Sequence, residues 1–258
     1  MKIELGQRST RYIARALVGH QHYIAAYNML HVYEDPVDAF RRYLFRAGSY
    51  PHEVVLRTPI GKIRLKAFTP DDLLTINEIF CRGDYHSDAR NHIFVDFGSN
   101  IGVSAAYFLT RSREGYVYGF EPLPQNIERL KLNLNSFNGR FSLTEGAVWT
   151  SNGSADFGWE ETGRYGGLRS KSARKLTVRT FDENDILRDI LARHGKIDVL
   201  KIDVEGAEGE LLRYMHPDTA ARIRKIFVEG HFEKNPLSST HRYRQYGSIA
   251  RFVSLNEP

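Results

Sequence analysis

"FVDFGSNIGVS", residues Phe94 to Ser104, sets an Asp and two Gly inside an otherwise apolar run. Ile93, Phe94 and Val95 read as a buried strand, and after Gly102 the positions Val103, Ala106, Tyr107 and Thr110 recur at helical spacing. The polar part therefore falls at a strand-to-helix turn, which is where open α/β sheets bind ligands. Gly98 and Gly102 bracket Ser99, Asn100 and Ile101; glycine there permits unusual backbone angles and lets a ligand come against the chain. A glycine turn alone needs no ligand, so the rest of the chain has to decide.

From this turn onward strands and helices alternate: "YVYGFEP", "QNIERLKLNLNSF", "FSLTEGAV", "IDVLKID", "GAEGELLRYM" and "IRKIFVEGHF". That rhythm predicts an α/β fold with a mostly parallel sheet and helices on both faces. Thr150 to Ser172, Gly- and Ser-rich with Trp159, Arg164 and Tyr165 embedded, reads as a loop over the active site. Upstream, residues 1 to 47 read as one or two helices, with Tyr12, Ile13, Ala16 and Leu17 at helical spacing and a second start at Pro36. Such a stretch can cover an open edge of the main sheet or touch a membrane surface. Val54 to Leu56 and Ile63 to Leu65 flank "RTPIGK" as a hairpin, and Thr69 before Pro70 starts a helix. The expected domains are an N-terminal helical and hairpin cap over 1–91 and the α/β domain over 92–258.

The bulk numbers fit one main globular domain: 258 residues, 41% hydrophobic, Lys+Arg 36 against Asp+Glu 31 for a net charge of +5. The charges are scattered, which argues against nucleic acid as partner. One cysteine, Cys81, excludes an internal disulfide framework, no Cys/His set has zinc spacing, and no stretch of roughly 18 apolar residues spans a membrane. A cytoplasmic chain of open oligomeric state is the expectation.

Glu121 ends "VYGFE" 19 residues after Gly102, where a carboxylate at the tip of the neighbouring strand accepts hydrogen bonds from both hydroxyls of a ribose. A dinucleotide would want G-x-G-x-x-G; here Asp96, read as lying in the turn, would repel phosphate and attract an ammonium or sulfonium. Ribose, an amino-acid-like cation and no pyrophosphate together describe S-adenosylmethionine. Asp203, Glu205 and Glu208 follow the strand "IDVLKI" and could serve as base, metal ligands or holders of substrate hydroxyls, Glu208 reading best as a helix N-terminal acid. Alternation along "IFVEGH" would put Glu229 and His231 on one face toward the same edge.

Together, "FVDFGSNIGVSAAYF", "VYGFEPLPQNIERLKLNL", "EGAV", "VRTFDEND", "IDVLKIDVEGAEGELL" and "KIFVEGH" resemble the FkbM-type family of S-adenosylmethionine-dependent methyltransferases over about Ile93 to Phe232. The resemblance implies a Rossmann-like class I methyltransferase fold and O-methylation of a hydroxyl on a sugar or natural product. By motif, Asp96, Gly98, Ser99, Asn100 and Gly102 would line the methionine and ribose part of the cofactor, with Asp203 beside it. Glu121 would hold the ribose hydroxyls, and Glu145 to Ala147 the adenine. The upstream region looks like that of members tied to bacterial surface polysaccharides.

A sulfonium is already a reactive methyl donor, so the protein has to align an acceptor oxygen and remove its proton. Asp203 or His231 is the expected base, Glu205 orients acceptor hydroxyls, and Trp159 and Tyr165 offer stacking surfaces for a sugar. Asp203, Glu205 and Glu229 could gather a divalent cation, although no ligand spacing demands a metal. The rivals are a nucleic-acid methyltransferase, a non-catalytic nucleotide-binding scaffold and a nicotinamide oxidoreductase.

Overall fold

The structure, a computed structural model, describes residues 4–5, 8–9, 20–163 and 166–257. The expected helical positions Tyr12, Ile13, Ala16 and Leu17, and the loop residues Arg164 and Tyr165, lie outside them. The chain divides into two compact units, Met1–His86 and Ser87–Pro258.

The first unit starts with a short antiparallel pair, β1 (Glu4–Leu5) and β2 (Arg8–Ser9), where the sequence pattern pointed to helix. Helices α1 (His20–Val32) and α2 (Pro36–Phe45) follow, and Asp35 caps α2 by accepting from the Asp38 N–H. Strands β3 (His52–Thr58) and β4 (Gly61–Ala67) pair as the expected hairpin. Helix α3 (Pro70–Ile76) opens with a capping box between Thr69 and Asp72 and continues as a π-helical turn over Asn77–Arg82.

The second unit carries the α/β alternation: β5 (Ile93–Phe97), α4 (Val103–Leu109), β6 (Tyr116–Glu121), α5 (Pro124–Leu134), β7 (Phe141–Glu145), β8 (Ala147–Trp149), β9 (Gly153–Trp159), β10 (Gly166–Gly167), β11 (Arg174–Asp182), α6 (Glu183–His194), β12 (Ile197–Ile202), α7 (Glu208–Tyr214), α8 (Pro217–Ala220), β13 (Ile223–Glu229), β14 (His241–Tyr246) and β15 (Ile249–Ser254). The main sheet has the order β7-β6-β5-β12-β13-β15-β14. Its first five strands are parallel, and β15 runs antiparallel between β13 and β14. Strands leave β5 in opposite directions, so the switch point lies between β5 and β12. This is the Rossmann-like arrangement of class I methyltransferases.

All six residues of β12 are buried, as expected for a strand covered on both faces. On one face Val95, Phe97, Leu200, Ile202, Ile226 and Val228 pack with Leu187, Ile190, Leu211 and Leu212 of α6 and α7. On the other, the Phe94 and Phe108 rings stack at 4.9 Å.

Two expectations need correction. "FSLTEGAV" is two strands rather than one, because the chain changes sheet at Gly146, where a Cβ would meet the Phe181 ring at 2.5 Å. The stretch Thr150 to Ser172 is not a plain loop: it supplies β9 and β10 to a second sheet of order β10-β9-β11-β8. Its Gly and Ser content hid a strand that is paired along its whole length with distant β11.

Candidate active site

The turn after β5 crosses the turn after β12, and this crossing explains its glycine. Gly98 has φ +80°, and a Cβ on it would lie 1.8 Å from the Asp203 carbonyl oxygen. The absent side chain thus makes way for protein backbone, where the sequence suggested a ligand; the Asp203 N–H in turn donates to the Phe97 carbonyl at 3.1 Å. Gly102, φ +86°, is needed for packing, since its Cβ would press on Leu130 and Leu134 of α5 at 3.1 and 3.3 Å. Ser99 is buried and internal: its Oγ donates to the Asp96 carbonyl at 3.0 Å and accepts from the Phe120 N–H at 3.2 Å.

Asp96 is corrected more sharply. It belongs to β5 rather than to the turn, it is fully buried, and its carboxylate accepts from Ser104 Oγ at 2.6 Å and pairs with Lys201 Nζ at 3.1 Å. Its charge is answered within the protein, so it does not face a cofactor ammonium. Lys201, missed in the sequence, also donates to the Gly98 carbonyl at 2.8 Å and pairs with Asp203 at 3.3 Å. These carboxylates raise its pKa against the opposing effect of burial, which is the largest single influence on it. The signal was present: a lysine in the middle of the apolar run "DVLKID".

Glu121 lies where the sequence placed it, at the end of β6 and almost wholly buried. It accepts from the Asn100 N–H at 2.8 Å, the Leu123 N–H at 3.0 Å and Asn126 Nδ2 at 3.4 Å. Burial pushes its carboxyl up to about 7 in spite of these donors. Asn100 can serve this turn because it adopts φ +48°, a left-handed conformation that Asn tolerates. Glu145 stands opposite Glu121 in the β6–β7 register, with an exposed side chain held by Lys131 at 2.7 Å. Ala147 is buried in β8, one residue past the Gly146 N–H that donates to the Glu121 carbonyl.

Asp203, Glu205 and Glu229 come together, with a carboxylate oxygen from each within 4.8 Å of the others. Glu205 takes φ +58°, and Glu208 holds its turn by accepting from the Val204 and Gly206 N–H groups at 3.0 Å each, the structural role expected of that acid. The Asp203 charge, then burial and a hydrogen bond to Asp203, raise the Glu229 pKa, as expected for two carboxyl groups that resist ionising together. Such a set can take up a hydroxyl proton, orient hydroxyls or hold a divalent cation. His231 is not part of it. β13 ends at Glu229 and Gly230 turns at φ +143°, so the alternation that was to carry His231 stops one residue early and leaves it exposed.

The FkbM methyltransferase domain model matches residues 96–252. The chain belongs to this family of methyltransferases. It is 27% identical over 167 residues to the hexuronic acid methyltransferase AglP of Haloferax volcanii, covering 65% of this chain and 67% of that one. It is 27% identical over 172 residues to the methyltransferase sdnD of Sordaria araneosa, covering 54% and 66%. The FkbM methyltransferase structure from Methylobacillus flagellatus KT aligns over 92% of this chain and 62% of its own with 12% identity and a TM-score of 0.47. Among the described residues no helix is long and apolar enough to cross a membrane.

In this FkbM domain the β9–β10 hairpin reaches both halves of the site. Arg129 and Asn126 of α5 donate to the Thr162 and Gly163 carbonyls at 2.9 and 2.8 Å. At the other end Gly167 sits on the acidic turn, where a Cβ would be 2.3 Å from the Glu205 carbonyl oxygen. Trp159, expected to stack on a sugar, carries the Arg174 guanidinium 5.4 Å from its ring centre.

Proposed function

We propose that this chain transfers the methyl group of S-adenosylmethionine to a hydroxyl oxygen of a sugar. The observation that carries this reading is the Glu121 carboxylate on one side of the switch point with the Asp203–Glu205–Glu229 set on the other. Glu121 suits two ribose hydroxyls, and a crevice whose charges are carboxylates favours a sulfonium over a pyrophosphate. Bound there, S-adenosylmethionine supplies an electrophilic methyl group that needs no further activation. Asp203 accepts the hydroxyl proton, Glu205 and Glu229 orient the acceptor, and the β9–β10 hairpin keeps water out. AglP, which acts on a hexuronic acid, supports a sugar acceptor.

Isothermal titration with S-adenosylmethionine and with NAD, on wild type and Glu121→Ala, tests the cofactor. Micromolar binding of the first alone, lost in the variant, is expected. Absence of S-adenosylmethionine binding to wild type overturns the proposal and leaves a scaffold role.

A further inference from the structure

The C-terminal hairpin brings a second set of side chains to the same edge of the sheet. Because β15 is antiparallel to both neighbours, β14 runs parallel to β13 and ends with Tyr246 at the carboxyl edge. Residues opposite one another on adjacent strands share a face, so the register builds rows across the sheet. One row runs Lys201, Phe227, Arg251, Arg244; the next, nearer the edge, runs Glu229, Ile249, Tyr246. The hairpin tip is fixed beside Glu229: Gln245 Nε2 donates to the Gly230 and Gly247 carbonyls at 3.1 and 2.9 Å, and the Gly230 N–H donates to the Ser248 carbonyl at 2.8 Å.

Two guanidinium-bearing residues stand directly opposite each other here, an arrangement that destabilises a sheet. The Arg251 guanidinium lies 3.8 Å from the centre of the Tyr246 ring, which fixes its plane. Arg244 is exposed and makes no ion pair among the described residues. Its strand is two spacings from β13, about 10 Å from Glu229, a span that one sugar ring and an arginine side chain can bridge. An anionic acceptor would be repelled by the Asp203–Glu205–Glu229 set unless its charge were held apart by cations of its own.

We propose that Arg244, beside the Tyr246–Arg251 stack, binds an anionic substituent of the acceptor, so that the methylated sugar is a carboxylate- or phosphate-bearing one. This rests on the sugar-hydroxyl reading above. The test measures binding of methyl β-D-glucuronide, glucose 6-phosphate and neutral methyl β-D-glucoside to the full chain saturated with S-adenosylhomocysteine. Wild type, Arg244→Ala and Arg244→Lys are compared. Wild type is expected to prefer at least one anionic sugar over the neutral one by about tenfold or more. Arg244→Ala should abolish that preference and Arg244→Lys keep part of it, with S-adenosylhomocysteine affinity unchanged in both variants. The anion preferred by wild type tells carboxylate from phosphate. Equal binding of charged and neutral sugars, binding of none, or a preference that survives Arg244→Ala overturns the proposal. The cofactor titration is read separately, so failure of the methyl-transfer reading is not mistaken for failure of this one.

Discussion

Replacing Lys201 with Met tests whether one buried cation joins the two loops of the site. Lys201 Nζ lies 3.1 Å from Asp96 and 3.3 Å from Asp203 and donates to the Gly98 carbonyl at 2.8 Å, with both Lys201 and Asp96 out of contact with water. Met has similar length and keeps the packing, so what is lost is charge and hydrogen bonding. Removing one partner of a buried ion pair costs about 3–5 kcal/mol, because the remaining charge stays buried. At 2–4 °C per kcal/mol for a domain of this size, that is a fall of roughly 10 °C in Tm. Differential scanning calorimetry of Lys201→Met should show it. The Asp96→Asn/Lys201→Met double variant should recover most of the loss, since no buried charge is left alone. A single variant within about 1 kcal/mol of wild type would refute the ion-pair reasoning. A double variant as unstable as the single one would place the effect in packing.

Gly98→Ala should leave little folded protein on expression, because φ +80° and the Asp203 carbonyl 1.8 Å from the new Cβ combine backbone strain with a backbone clash. Affinity for S-adenosylmethionine should rise as pH increases through about 7, since the ionised Glu121 accepts the ribose hydroxyls; Glu121→Gln should flatten this profile and weaken binding roughly 10- to 100-fold by calorimetry. Glu183 is fully buried with both side-chain oxygens unpartnered, and desolvation raises its pKa well above the usual value. The folded state therefore keeps a proton that the unfolded chain releases, and stability falls as pH rises above the unfolded pKa of about 4.3. Glu183→Leu should be more stable by about 1–3 kcal/mol at pH 8 in urea titrations, with the gap narrowing toward pH 4. Methyl transfer should survive excess chelator, because a sulfonium methyl needs no Lewis acid and a carboxylate of the acidic set can accept the hydroxyl proton directly.

What the sequence revealed was whatever depends on local pattern. Glu121 at the end of an apolar run, the helix starts at Pro36 and at Thr69 before Pro70, and the alternation from Ile93 to Glu229 are readable because short spans carry their cause. Asp96 misled because a carboxylate next to a glycine turn looks solvent-facing; only its register partner Lys201, 105 positions on, turns it inward. β15 was unreadable for the same reason, since its place between β13 and β14 is a pairing choice made by the finished sheet. His231 failed on a single residue: the pattern continued through Gly230, but the strand did not.

The charge balance of the crevice explains why four acids can stand so close together. Asp96 and Lys201 pair in the interior, and Lys201 also reaches Asp203, whose charge in turn raises the pKa of its neighbour Glu229. Glu205 is fixed by a turn whose amides are bound by Glu208 rather than by the cluster. On the proposed reading, a cluster in which one carboxyl is discouraged from ionising still favours a monovalent sulfonium while easing the repulsion among three adjacent carboxylates. Lys201, 3.3 Å from Asp203, then steadies the charge of the base, and the Asp203 charge raises the Glu229 pKa, which suits Glu229 to orienting the acceptor. Removing Lys201 would therefore disturb the charge balance around Asp203 as well as how firmly the two turns are joined, so Lys201→Met should lower methyl transfer as well as stability.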